Sequence, residues 1–116
     1  MNDNVIVDKS FDFAVRIVNL SKYLVEQQKE YVLSKQLLRS GTSIGANVFE
    51  AQRGQTKADF TAKMCIALKE ANETDYWLKL LHRTEYLTEA QYTSIYEDMQ
   101  EILGILTAIC RTTNKK

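Results

Sequence analysis

Proline is absent from this 116-residue chain, and glycine occurs only four times. A sheet-rich domain of this size needs far more turn residues, so the shortage points to long, uninterrupted helices. One histidine and two cysteines leave little material for a metal centre or a catalytic dyad. Cys65 and Cys110 sit in separate apolar helical patterns with no C-x-x-C spacing, which excludes a zinc ribbon and a dithiol redox motif. They read as small core hydrophobes of a protein in a reducing compartment. Net charge is missing too: fifteen Lys and Arg balance fifteen Asp and Glu, and the pI is near 6.6. Nucleic-acid binding usually starts from a basic domain, so its simplest case is removed. No stretch approaches the roughly 20 apolar residues of a membrane span, and Met1-Asn2-Asp3-Asn4-Val5 carries no positive leader. The expected location is the cytoplasm, away from membranes.

The chain is 45% hydrophobic, enough for a packed core, and its length supports one domain over residues 1–116. Four amphipathic segments follow from apolar spacing, over about 9–28, 31–52, 56–84 and 88–110. The first has two apolar lines, Phe13, Ile17, Leu20 and Leu24 beside Ala14, Val18, Ser21 and Val25. One stripe per helix suffices for a bundle, so the surplus predicts burial against another subunit. The second carries Leu33, Leu37, Gly41, Ile44, Val48 and Ala51; the third Phe60, Met64, Ala67, Ala71, Thr74, Leu78 and Leu81; the fourth Tyr92, Ile95, Met99, Ile102, Leu106 and Ile109. Thr56 with Asp59 and Thr88 with Gln91 resemble capping boxes at the third and fourth starts. Asn114-Lys115-Lys116 reads as a frayed tail. Short connections between long helices predict an all-α, up-down-up-down antiparallel four-helix bundle.

Beside the apolar line of the second helix runs a polar one, Gln36, Ser40, Ser43, Asn47 and Glu50. The run Arg39-Ser40-Gly41-Thr42-Ser43-Ile44-Gly45-Ala46-Asn47-Val48-Phe49-Glu50 sets small and polar residues into the middle of a core element. Together with Phe60 and Lys69-Glu70-Ala71-Asn72-Glu73-Thr74, it resembles the bacterial family of 23S ribosomal RNA intervening-sequence proteins. The resemblance covers nearly the whole chain; where the family often shows Ala-Glu-Gly, this sequence has Phe49-Glu50-Ala51. It implies a four-helix bundle that assembles as a ring-shaped homopentamer with no established enzymatic activity. A related branch, the accessory proteins of diversity-generating retroelements, is strongly basic, binds nucleic acid and works with a reverse transcriptase.

Enzymatic readings fare poorly against the residues. A carboxylate-bridged di-metal bundle needs Glu-x-x-His pairs, but the one histidine, His82, is preceded at that spacing by Lys79. No G-x-S-x-G turn or glycine-rich phosphate loop occurs. No catalytic residue, metal, cofactor or small-molecule substrate is therefore expected. Gly41 and Gly45, four apart within a helix, predict close helix packing. A hairpin turning near Arg53-Gly54-Gln55 sets Arg39 level with Glu70 and Gln36 level with Glu73. Gln36, Arg39, Ser43, Asn47, Glu50, Glu70 and Glu73 are thus candidates for a structural polar network, with Arg39 and Glu50 facing a ring lumen or a ligand as the alternative. Tyr76, Trp77 and Tyr86 read as core or interface aromatics, Trp77 as the interface anchor. Residues 9–53 hold seven cations against four carboxylates, whereas 85–110 hold five carboxylates and no cation. The leading expectation is a homo-oligomeric scaffold or adaptor; the alternative is an RNA- or DNA-binding accessory module tied to ribosomal RNA or a reverse transcriptase.

Overall fold

A computed structural model describes residues 4–113, and the regular structure among them is entirely helical. The helices are α1 (Asn4–Glu26), α2 (Leu33–Ala51), α3 (Lys57–Arg83) and α4 (Glu89–Thr113). The tail at Asn114-Lys115-Lys116 lies outside the described residues. α3, at 27 residues, spans roughly 40 Å by the helical rise. The body measures 46 × 20 × 19 Å, so the helices lie side by side along its length. α1 packs on α2 and α4, and α3 packs on the same two, which puts α1 and α3 at opposite corners.

Across each seam, residue numbers fall on one helix as they rise on the other. Gly41 and Gly45 approach Ile17 and Ser10 between α1 and α2. Ser40 meets Thr74, and Glu50 meets Lys63, between α2 and α3. Lys79 lies over Tyr96, and His82 stacks on Tyr92, between α3 and α4. Lys9 pairs with Glu101, and Arg16 with Asp98, between α1 and α4.

The core stripe of α1 runs through Ile6, Ser10, Phe13, Ile17, Ser21 and Leu24. This corrects the expected start near Lys9: nothing before it breaks a helix, and Ile6 adds one more buried turn. Within the two apolar lines, Leu20 is only half-buried and Ser21 is buried, which corrects the expected membership, while Val18 and Val25 of the second line face outward as surplus. Small serines fill the seam where α1 and α2 come close, and Ser10 Oγ satisfies itself on the Val7 carbonyl at 3.2 Å.

α1 and α3 both end without glycine. Lys29 (φ 56°) and Glu85 (φ 70°) take the left-handed conformation instead. These positions close the helices through Glu30 N–H to Leu24 C=O and Tyr86 N–H to Leu81 C=O, each 2.9 Å. α2 starts at Leu33 rather than near Tyr31 because the Glu30 carboxylate accepts from the backbone N–H of Val32, Leu33 and Ser34 at 3.1, 2.9 and 2.7 Å. Thr56 Oγ1 accepts from Asp59 N–H at the start of α3, while Thr88 and Gln91 exchange side-chain and backbone bonds at the start of α4. Among the described residues, no helix is long and apolar enough to cross a membrane.

Candidate functional site

The polar line of α2 meets α3 through Arg39. Its guanidinium donates to Glu73, to Glu70 at 3.4 Å and to Gln36 Oε1 at 3.2 Å. Trp77 adds its indole N–H to Glu73 at 3.1 Å, so one carboxylate joins an arginine and an aromatic on the same face. Gln36, expected level with Glu73, instead braces Arg39 from one turn away on its own helix. Ser43 Oγ donates to the Arg39 carbonyl and Asn47 to the Ser43 carbonyl, tying the line to its own backbone. Glu50 stands apart from that cluster and pairs with Lys63 at 2.8 Å. Deeper in the seam, buried Thr74 Oγ1 lies 2.9 Å from Ser40 Oγ and 2.8 Å from the Glu70 carbonyl.

Burial decides what this network is worth. The side chains of Arg39, Glu70 and Glu73 are 49%, 18% and 32% exposed, so the pairs lie at the rim of the seam rather than inside it. Water screens such pairs, and their contribution is about 0.2–1 kcal/mol each. Substituting Arg39→Met is therefore expected to lower stability by up to about 1 kcal/mol, partly restored when Glu70→Gln is added. Urea midpoints of the two single variants and the double variant, measured at low and high salt, give the coupling. Strictly additive changes would leave Arg39 and Glu70 energetically unconnected.

The small residues of α2 shape a second feature. A Cβ on Gly41 would lie 2.8 Å from Ile17 Cγ1 and Cγ2, and one on Gly45 would lie 3.1 Å from the Ser10 carbonyl oxygen. Both are tighter than ordinary van der Waals contact, so α1 lies against α2 where these side chains are missing. Above Gly45 the same gap opens outward as a cavity of about 330 Å³ between Phe11 and Phe49, with Asp8 and Asp12 beside it. Phe11 and Phe49 are 67% and 56% exposed. Val15, Val18 and Val25 continue the apolar surface along α1, and Leu38 adds to it on α2.

The remaining chemistry-bearing groups are engaged in packing. Arg16 bridges from α1 to α4, bonding Asp98 at 2.6 Å and Ser94 Oγ at 2.7 Å at the mouth of an open groove of about 530 Å³. His82 stacks on Tyr92 at 4.2 Å and meets Glu89 at 2.8 Å; Tyr96 continues the stack. Burial, with Cys65 beside it, pushes the Cys110 thiol up to about 12, far from the range of a reactive thiolate. Among the described residues, no three His, Cys, Asp or Glu side chains are grouped so as to hold a metal ion.

The model of the 23S rRNA-intervening sequence protein family matches residues 2–108. The chain belongs to that family. A crystal structure from Bacteroides thetaiotaomicron, described as a protein of unknown function from the S23 ribosomal protein family, is 63% identical. The match covers 96% of this chain and 99% of that one with a TM-score of 0.92. No curated protein matches the sequence.

In this member of the 23S rRNA-intervening sequence family, sequence reasoning passed over several residues. Glu30 counted only as a surface charge, although a carboxylate two to four residues ahead of a helix start is itself a capping signal. Phe11 and Phe49 belong to neither chosen apolar line, and Phe49 drew notice only as the residue standing in place of the family's usual alanine. An exposed aromatic off the core stripe was the available signal. Glu50 meets Lys63 and Ser40 meets Thr74 about one turn further along α3 than the expected level of Arg39 with Glu70, which is why Arg39 also reaches Glu73.

Proposed function

We propose that this chain is a non-enzymatic, cytoplasmic scaffold or adaptor that works as a homo-oligomer, a ring-shaped pentamer of up-down-up-down antiparallel bundles. The carrying observation is the apolar surface of α1 and α2, where Phe11, Val15, Val18, Val25, Leu38 and Phe49 all face solvent in the isolated chain. Exposed apolar residues at helical spacing, lying outside the buried stripe, are the surplus that association removes from water. The opposed numbering across all four seams supports the antiparallel bundle, and the family resemblance supports five subunits. A structural rather than catalytic part for Arg39, Glu70, Glu73 and Trp77 is supported by their bonding to one another.

The alternative, an accessory module that grips RNA or DNA, requires several cations free on one face. Five described cations, Lys9, Arg16, Arg39, Lys63 and Lys79, pair with carboxylates, and it is the overall balance of fifteen Lys and Arg against fifteen Asp and Glu that favours the scaffold. Titrating a structured RNA with the protein across a salt series separates the readings. The scaffold predicts no binding near physiological ionic strength. Binding there with a steep loss of affinity as salt rises would replace it with the nucleic-acid module.

A further inference from the structure

Lys79 lies over Tyr96 where α3 meets α4. Fourteen residues earlier on α3 is Cys65, and fourteen later on α4, whose numbering runs the other way along the seam, is Cys110. That step is about four helical turns, so each cysteine returns to the face its helix presents to the other. The two side chains are in hydrogen-bond contact there, and both are thiols. Their surroundings differ. Cys110 is 6% exposed, inside the core, whereas Cys65 is only partly buried. Burial and the neighbouring Cys65 keep the proton on Cys110, so the sulfur able to attack is that of Cys65.

We propose that Cys65 and Cys110 are an oxidisable dithiol, in which a peroxide oxidises Cys65 and Cys110 then closes a disulfide across the α3/α4 seam. Neither residue lies in a C-x-x-C spacing; the fold makes the pair. The Cys65 thiolate attacks one oxygen of hydrogen peroxide and the O–O bond breaks. Cys65 becomes a sulfenic acid, and the other oxygen leaves as water with the proton that Cys65 gave up. The Cys110 sulfur then displaces the sulfenic oxygen, which departs as a second water with the Cys110 proton. Two electrons pass from the sulfurs to the peroxide. Cys110 is a poor thiolate, but it starts in contact with the sulfur it must attack, and an intramolecular step gains a large effective concentration. The bond fastens the end of α4, which runs to Thr113, onto α3. In a reducing compartment the pair rests as thiols and answers only to a rise in oxidant.

The test treats the folded wild-type chain with hydrogen peroxide and reads intact mass, thiol content after unfolding, and the peptide map. The expected result is a single chain lighter by two hydrogens at its cysteines, both thiols consumed, and one peptide joining Cys65 to Cys110, all reversed by dithiothreitol. Cys110→Ala leaves Cys65 without its partner and should accumulate a sulfenic acid that dimedone traps. Cys65→Ala should keep Cys110 as a thiol, because the buried sulfur is not the one attacked. A wild type that retains both thiols, stops with oxygen on Cys65, or joins cysteines of different chains overturns the pairing. So does a Cys65→Ala variant, folded by circular dichroism, whose Cys110 is oxidised as fast as the wild-type pair. Should either variant fail to fold, the wild-type mass and map decide alone.

Discussion

Gly41→Leu is expected to lower stability by about 1–3 kcal/mol through overpacking of the α1/α2 seam. The new Cβ meets Ile17 Cγ1 and Cγ2 at 2.8 Å, closer than any relaxed carbon pair, and Ile17 is fully buried. Both Cγ atoms branch directly from Cβ, so no rotation about χ1 withdraws both together. Gly41→Ala carries the same clash with less bulk, and its loss should be smaller. Pairing Gly41→Ala with Ile17→Ala, which empties the colliding volume, should cost less than the sum of the two single changes. Denaturant midpoints read this directly. A Gly41→Leu midpoint equal to that of wild type would mean that α1 and α2 do not approach this closely. Gly45 differs in kind, because its neighbour is the Ser10 backbone carbonyl and only movement of α1 could make room.

Glu30→Gln is the second large effect, with an expected loss of about 1–3 kcal/mol at neutral pH. Burial alone would raise the Glu30 pKa, but the backbone amides of Leu33, Ser34 and Val32 outweigh it and hold the carboxyl below its ordinary value of 4.5. The folded state therefore favours the ionised carboxylate more than the unfolded chain does. The resulting stability is present in full above pH 4.5 and is lost as pH falls through the lowered folded value. The gap between wild type and Glu30→Gln should be widest near neutrality and shrink as acid protonates the wild-type carboxylate. Thermal melts of both proteins across that range check it. A gap of the same size at every pH would show that the charge on Glu30 does not hold the start of α2.

The legible parts of this fold are those set by local rules. The buried stripe of α3, Met64, Ala67, Ala71, Thr74, Leu78 and Leu81, follows from periodicity alone, and Thr56 and the Thr88/Gln91 pair announce two helix starts from side-chain chemistry within one turn. The α2/α3 register was legible to about one turn: Arg39 does reach Glu70, but Ser40 meets Thr74, Glu50 meets Lys63, and Arg39 reaches Glu73 as well. What escaped the sequence depends on distance between elements. Ser10 and Ser21 are buried while Val18 is exposed, because the side of α1 that α2 covers is chosen by the absence of a Cβ at Gly41 and Gly45, not by hydrophobicity. Helix ends at Lys29 and Glu85 carry no glycine, so the usual stop signal was missing where the backbone needed it. For the candidate site, residue identities were legible and depth was left open: Arg39, Glu70 and Glu73, expected inside or beside the core, lie at its rim.

Self-association through the apolar surface of α1 and α2 carries the functional reading, and sedimentation equilibrium of the wild-type chain tests it most directly. At micromolar concentration the account predicts a single species at five times the 13.4 kDa chain mass, insensitive to dilution across that range. A stable species at the mass of one chain would contradict it and leave Phe11, Val15, Val18 and Phe49 exposed without a partner.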